Sequence, residues 1–126
     1  MAKRDMGLFE RNRVAGRIFE AVLGRECFLL LGHRNPDDDC VASLVAVGLL
    51  LKKLNKQAHV YFGGELHEHF EYLLSICRYN SIGVLRGDSV ASRPDACLPD
   101  TVVICDTAKP DMVDAPQWAR QLMRDP

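Results

Sequence analysis

The stretch CFLLLGHRNPDDDC, residues 27–40, runs from an apolar segment through Gly32 into a histidine and three consecutive aspartates. A short unbroken apolar run ending in glycine reads as a β-strand buried on both faces, the pattern of a parallel sheet. Three adjacent carboxylates repel one another. Their position a few residues after a buried strand asks for compensation, from water and a helix N-terminus on the plain reading or from a bound cation on the chemical one.

The flanking segments support the parallel reading. Ala15, Ile18, Phe19 and Val22 recur at helical spacing and predict an amphipathic helix over 6–23, closed by Gly24. Residues 40–54 predict a second helix, apolar nearly all round until Lys52 and Lys53, hence mostly buried. QAHVYF (57–62) reads as a strand with Gly63-Gly64 as its exit turn, and Leu66, Phe70, Leu73, Leu74 and Cys77 predict a third helix over 65–79. IGVL (82–85) reads as a short strand, and 86–100, with Pro94 and Pro99, as a loop or irregular crossing. TVVIC (101–105) is a further apolar strand, and residues 110–123 predict a last helix started by Asp111 and Asp114. Strands alternating with helices imply βαβ units, so the expected fold class is α/β: a parallel, Rossmann-like sheet with helices on both faces. No repeat or linker interrupts the 126 residues, which read as a single domain.

Composition excludes several classes. A hydrophobic content of 48% suffices for a packed core, and a net charge of −1 gives no basic footprint for duplex nucleic acid. The basic lean of the first residues (Lys3, Arg4, Arg11, Arg13, Arg17 against Asp5 and Glu10) reads as a solvated helix face. The five cysteines (Cys27, Cys40, Cys77, Cys97, Cys105) are odd in number and hold no Cys-x-x-Cys pair. That argues against a disulfide framework and a thiolate zinc site, and for small hydrophobes in a reduced, cytoplasmic chain. The longest apolar run, VASLVAVGLLL (41–51), falls short of the roughly 20 residues a bilayer span needs, and no secretory h-region is visible. Neither membrane nor duplex nucleic acid is an expected partner.

Both apolar strands lead straight into polar residues: His33, Asp37, Asp38 and Asp39 after the first, Asp106 and Thr107 after the later one. In an open parallel sheet the carboxyl ends line one rim, so His33, Asp37, Asp39 and Asp106 can meet there. Pro36 biases Asn35 towards extended backbone, and in extended chain residues i and i+2 point the same way. Asp37 and Asp39 are thus expected to face one site, with Asp38 turned elsewhere. A helix starting near Cys40 adds its positive N-terminus, and one aspartate is accounted for as its N-cap. An EF-hand is disfavoured by the missing glycine and distant glutamate, and a P-loop is absent. One imidazole with several carboxylates suits manganese or magnesium better than a structural zinc. Replacing Asp37 by alanine is then expected to relieve repulsion and leave metal-free stability equal or higher. His67 and His69, two apart on a presumed α-helix, do not share a face and read as solvated, while His59 reads as structural.

These residues carry a resemblance. GHRNPDDDCVAS (32–43) resembles the first signature of the DHH phosphoesterases, the RecJ-like group: His-x-x-Pro-Asp-x-Asp, then small residues and a serine. His33, Pro36, Asp37, Asp39 and Ser43 fall in register. VVICDTAKP (102–110) is similar to the second, an aspartate ending an apolar strand. The resemblance covers residues 27–110 or so and implies a two-metal hydrolase. Such enzymes use manganese-type ions to cleave phosphodiesters or phosphoanhydrides in nucleotides, cyclic dinucleotides, short oligonucleotides or pyrophosphate. Carried over by position, it implies His33 and Asp37 on one ion, Asp39 on the other, and Asp106 bridging, with a metal-bound water as nucleophile. It implies no role for Asp38.

The Asp-His-His that names the family is absent, since His33, His59, His67 and His69 include no adjacent pair. A further aspartate of the pattern and the C-terminal substrate domain are missing too. The expectation is therefore the N-terminal portion of a longer enzyme, an incomplete half of a DHH domain, inactive alone and prone to self-associate through an exposed sheet flank. The rival expectation is a catalytically dead nucleotide-binding or regulatory module of the same fold. A covalent-aspartate phosphatase needs Asp-x-Asp directly after the strand, and here His33-Arg34-Asn35-Pro36 intervenes.

Overall fold

Every residue of the first strand, β1 (Cys27–Leu31), is buried. Phe28 and Leu30 face one core while Leu29 and Leu31 face another, so the strand has no solvent side. The computed structural model describes residues 7–87, 98–107 and 110–124. Lys3, Arg4, Asp5, Cys97 and most of the expected 86–100 crossing, Pro94 included, lie outside them. The remaining elements are α1 (Leu8–Leu23), α2 (Asp38–Lys53), β2 (Gln57–Phe62), a 3-10 turn (Glu68–Phe70) leading into α3 (Glu71–Tyr79), β3 (Gly83–Arg86), β4 (Thr101–Ile104), a 3-10 turn (Pro110–Met112) and α4 (Gln117–Arg124).

The four strands form one parallel sheet in the order β3-β2-β1-β4. Leu29 sits opposite His59 on one side and Val102 on the other. Val41, Leu44 and Leu74 of α2 and α3 close one face over Phe28, Leu30 and Val60. Val113 and Ala119 close the other over Leu29, Leu31 and Tyr61. The α/β class and the helices on both faces are as the alternation of elements predicts. From β1 the chain builds outwards through β2 to β3, then returns to place β4 on the opposite side of β1. Connections therefore diverge between β1 and β4, and the crevice of an open α/β sheet opens beyond the carboxyl ends at such a switch point.

Three elements depart from expectation. The third helix is split, because the His67 ring nitrogen Nδ1 accepts the His69 amide at 3.2 Å and caps a 3-10 turn before α3 begins. The last helix is split too. Val113 forms an antiparallel bridge with His33, and the Asp114 amide donates to the Gly32 carbonyl at 2.8 Å. The Asp114 carboxylate does not start a helix but accepts the Gly63 amide at 2.8 Å. α4 starts only after Pro116, where a residue without an N–H costs nothing. Finally, α1 is amphipathic but buries none of its residues, leaving Leu8, Phe9, Ile18 and Phe19 exposed. Its C-terminal end is held by Lys56, only 7% exposed, whose Nζ donates to the Leu23 carbonyl at 3.1 Å and to Glu26 at 3.3 Å. Among the described residues, no helix is long and apolar enough to cross a membrane.

Candidate metal centre

Past the last residue of β1, the amide of Cys105 still donates to the Leu31 carbonyl at 2.9 Å, carrying the β1–β4 pairing up to the rim. The two chains then diverge. Asp106 turns away with a φ of 65°, and Asn35 takes a φ of 53°. Asn and Asp are the side chains that tolerate this left-handed region best. The extended conformation expected at Asn35 is thus not adopted. Its own tolerance for the left-handed turn outweighs the restriction from Pro36.

These turns bring His33 and Asp106 together, with Nε2 of the imidazole 3.5 Å from Oδ2 of the carboxylate. Asp37 Oδ1 lies 3.9 Å from the same Nε2. The other ring nitrogen is committed, because Nδ1 lies 2.8 Å from the Arg34 carbonyl, which can only accept. Nδ1 therefore carries the proton, and Nε2 presents a lone pair to the rim in the neutral ring. Cys40 completes the group: donor atoms of His33, Cys40 and Asp106 all lie within 4.8 Å of one another.

The three neighbouring aspartates separate. Asp37, in extended backbone, is the N-cap of α2 and accepts the Cys40 amide at 2.9 Å. The helix starts at Asp38 rather than Cys40, so only Asp37 keeps the extended geometry expected of the whole cluster. Asp38 and Asp39 occupy the first helical turn, where the partially positive helix end favours them. Asp38 Oδ1 accepts from His69 Nε2 at 2.8 Å. His67 and His69 do converge, their Nδ1 atoms 2.6 Å apart, because His67 caps the 3-10 turn in extended backbone while His69 lies within it. Asp39 does not join the group of mutually close donors around His33. It lines a shallow groove of about 450 Å³ with Asp37, Asp38, His67, His69 and Phe70. A second hollow of about 250 Å³, lined by Arg34, Pro36, Phe62, Gly64, Leu66 and Asp114, shares Pro36 with that groove.

Burial pushes the Cys40 thiol above its ordinary range; a hydrogen bond with the His33 backbone opposes this, and Asp106, Asp37 and Asp114 add to it. Cys40 was expected to be a small core hydrophobe, and it does belong to the core under α2. What the sequence reading missed is its position: three residues after the N-cap, it sits where the helix end meets the rim. The donor set fits a divalent cation. Imidazole, carboxylate and thiol converge from one side, while the Asp37 and Asp106 side chains remain 65% and 42% exposed on the other, leaving coordination positions to water or a ligand.

The geometry thus defines a parallel α/β domain with a cluster of metal-competent donors at its switch point. Compared with family models, curated proteins and solved structures, the chain has no match.

Proposed function

We propose that this rim is the metal site of a phosphoesterase of the DHH type, acting on phosphodiesters or phosphoanhydrides in small nucleotides, short oligonucleotides or pyrophosphate. The observation that carries the reading is the His33–Asp106 approach at the switch point, with Nδ1 held by the Arg34 carbonyl so that Nε2 faces two carboxylates. A lone pair aimed at carboxylates is unfavourable unless a proton or a cation intervenes, and a divalent ion supplies two charges where a proton supplies one.

On this reading His33 and Asp37 hold one ion and Asp106 borders it from β4. Bound there, manganese or a similar ion would supply Lewis acidity towards a phosphoryl oxygen and lower the pKa of an attached water. The chain contributes orientation. Asp37 is fixed by its bond to the Cys40 amide, and His33 by its bond to the Arg34 carbonyl. The amide end of α2 favours an anionic ligand at the same rim. Asp39, proposed by the resemblance for a second ion, stands with Asp38, His67 and His69 along the neighbouring groove.

The test is binding and release of phosphate. The chain is incubated with manganese and, in turn, pyrophosphate, a cyclic dinucleotide and a short oligonucleotide, with Asp106→Asn as the blank. The expected result is manganese-dependent binding of these phosphates that the variant loses. Turnover is expected to need the further ligands that the resemblance implies. Phosphate binding that ignores both manganese and Asp106 would sink the reading.

A further inference from the structure

Cys40 is buried completely, but its sulfur is not surrounded by hydrocarbon alone. It stands against the end of β1, where Gly32 makes the space. A Cβ at Gly32 would collide with Cys40 Sγ, so a larger residue there and the present sulfur position exclude each other. The Cys40 backbone is pinned in turn by the Asp37 cap. The sulfur is thus held where it falls within 4.8 Å of donor atoms of both His33 and Asp106.

Another buried thiol provides the contrast. Cys77, on the buried side of α3, packs in the core, and among the described residues the charged neighbour that acts on it is the cation of Arg78. Cys40 instead faces Asp37, Asp106 and Asp114. A free thiolate there would be opposed by every one of those charges. A cation inverts that balance, because each carboxylate then stabilises what the sulfur binds, and a coordinating thiol is deprotonated outright.

We propose that Cys40 adds a thiolate to His33, Asp37 and Asp106 as a ligand of the rim ion, and that the rim therefore selects a thiophilic divalent ion of the zinc and cobalt class over magnesium. The proposal rests on the metal reading of the rim and sharpens it, since sulfur donors favour softer ions than carboxylate and water do. It concerns one cysteine in a mixed donor set, not a thiolate-only zinc site. The step is balanced: the S–H bond breaks, a sulfur–metal bond forms, and one proton leaves to solvent for each ion bound.

Cobalt(II) is the probe, because sulfur ligation announces itself as a thiolate-to-metal charge-transfer band in the near ultraviolet, separate from the visible d–d bands. The full chain, kept reduced, is titrated with cobalt. The expected spectrum contains both features, saturates together at one ion per chain, is erased by zinc and resists excess magnesium. Cys40→Ser, checked for folding by circular dichroism, should keep d–d bands, lose the charge-transfer band and bind more weakly. The loss should be at least as large as the roughly 10–100-fold that removal of an outer hydrogen-bond partner costs a metal site. The wild-type spectrum decides even if the variant fails to fold. Cobalt bound without a charge-transfer band, or a band that survives Cys40→Ser, overturns the sulfur ligand but leaves the metal reading standing. No cobalt binding at all overturns both.

Discussion

His33 Nε2 and Asp106 Oδ2 meet at 3.5 Å across the ends of β1 and β4, two strands adjacent in the sheet and far apart in the chain. Neither residue reaches the other through local structure. Their approach depends on the β1–β4 register, in which Leu31 pairs with Ile104, and on the left-handed turn at Asp106. The site is therefore a product of strand order.

Metal should stabilise the folded chain through this pair. A ligand that binds only the native state at a hundredfold excess over its Kd contributes about 2.7 kcal/mol. Thermal unfolding with and without manganese or zinc should show a rise of that kind for the wild type and none for Asp106→Asn. An equal rise in the variant would place the ion elsewhere.

Asp37 has two roles that substitutions can separate. Its bond to the Cys40 amide is an N-cap, so Asp37→Ala should cost about 1 kcal/mol without metal. This reverses the expectation that relieved repulsion would leave stability equal or higher. Asp37→Asn keeps an accepting oxygen and should unfold close to wild type while binding metal more weakly. Denaturant midpoints of the two metal-free variants check the order: alanine clearly below asparagine.

His59 should make the fold acid-sensitive. Burial, assisted by Lys52, holds its pKa below the ordinary 6.5, and among the described residues neither ring nitrogen has a hydrogen-bond partner. The unfolded chain then binds a proton that the folded chain resists. Stability is undiminished above pH 6.5, falls as the pH drops below that value, and levels off below the depressed folded pKa. His59→Leu should flatten this component in urea melts run across that window. An unchanged slope would mean that the ring is protonated in place.

Lys56 should govern α1. With no fully buried residue of its own, the helix is anchored at its C-terminal end by Val22, packed against the core, and by the Lys56 bond to the Leu23 carbonyl. Lys56→Met keeps the apolar stem and removes the charged donor, at a cost of about 1.5–3 kcal/mol for a bond of this type. Most of that loss should be local, because the Glu26 partner is exposed and screened. Hydrogen exchange should accelerate over residues 8–23 and stay unchanged in β1 and β2. Uniform acceleration would show that Lys56 supports the whole domain instead.

Most of the sheet was legible in the sequence because β1 is an unbroken apolar run, and β2 and β4 are short segments rich in β-branched and aromatic residues. The breaks were not. Val113 leaves the last helix to pair with His33, a contact that only the assembled sheet creates. His67 and His69 converge because His67 is an extended cap in front of the 3-10 turn that holds His69, not a residue of the assumed α-helix. At the rim, local rules competed. Pro36 argued for extended chain at Asn35, and the side chain's tolerance of positive φ won. Cys40 hid among core residues because hydrophobicity describes its surroundings on one side only, and the gap beside Gly32 that orients its sulfur exists only in three dimensions.

The backbone at Asp106, with its φ of 65°, also bears on how such a chain is inherited. Glycine adopts that conformation freely, whereas an L-residue gives up roughly 1 kcal/mol to hold it. Under drift restrained by folding alone, the position moves towards glycine. An aspartate there carries a carboxylate that the turn itself does not require. Asp106→Gly should therefore fold at least as well as the wild type while removing the carboxylate from the rim.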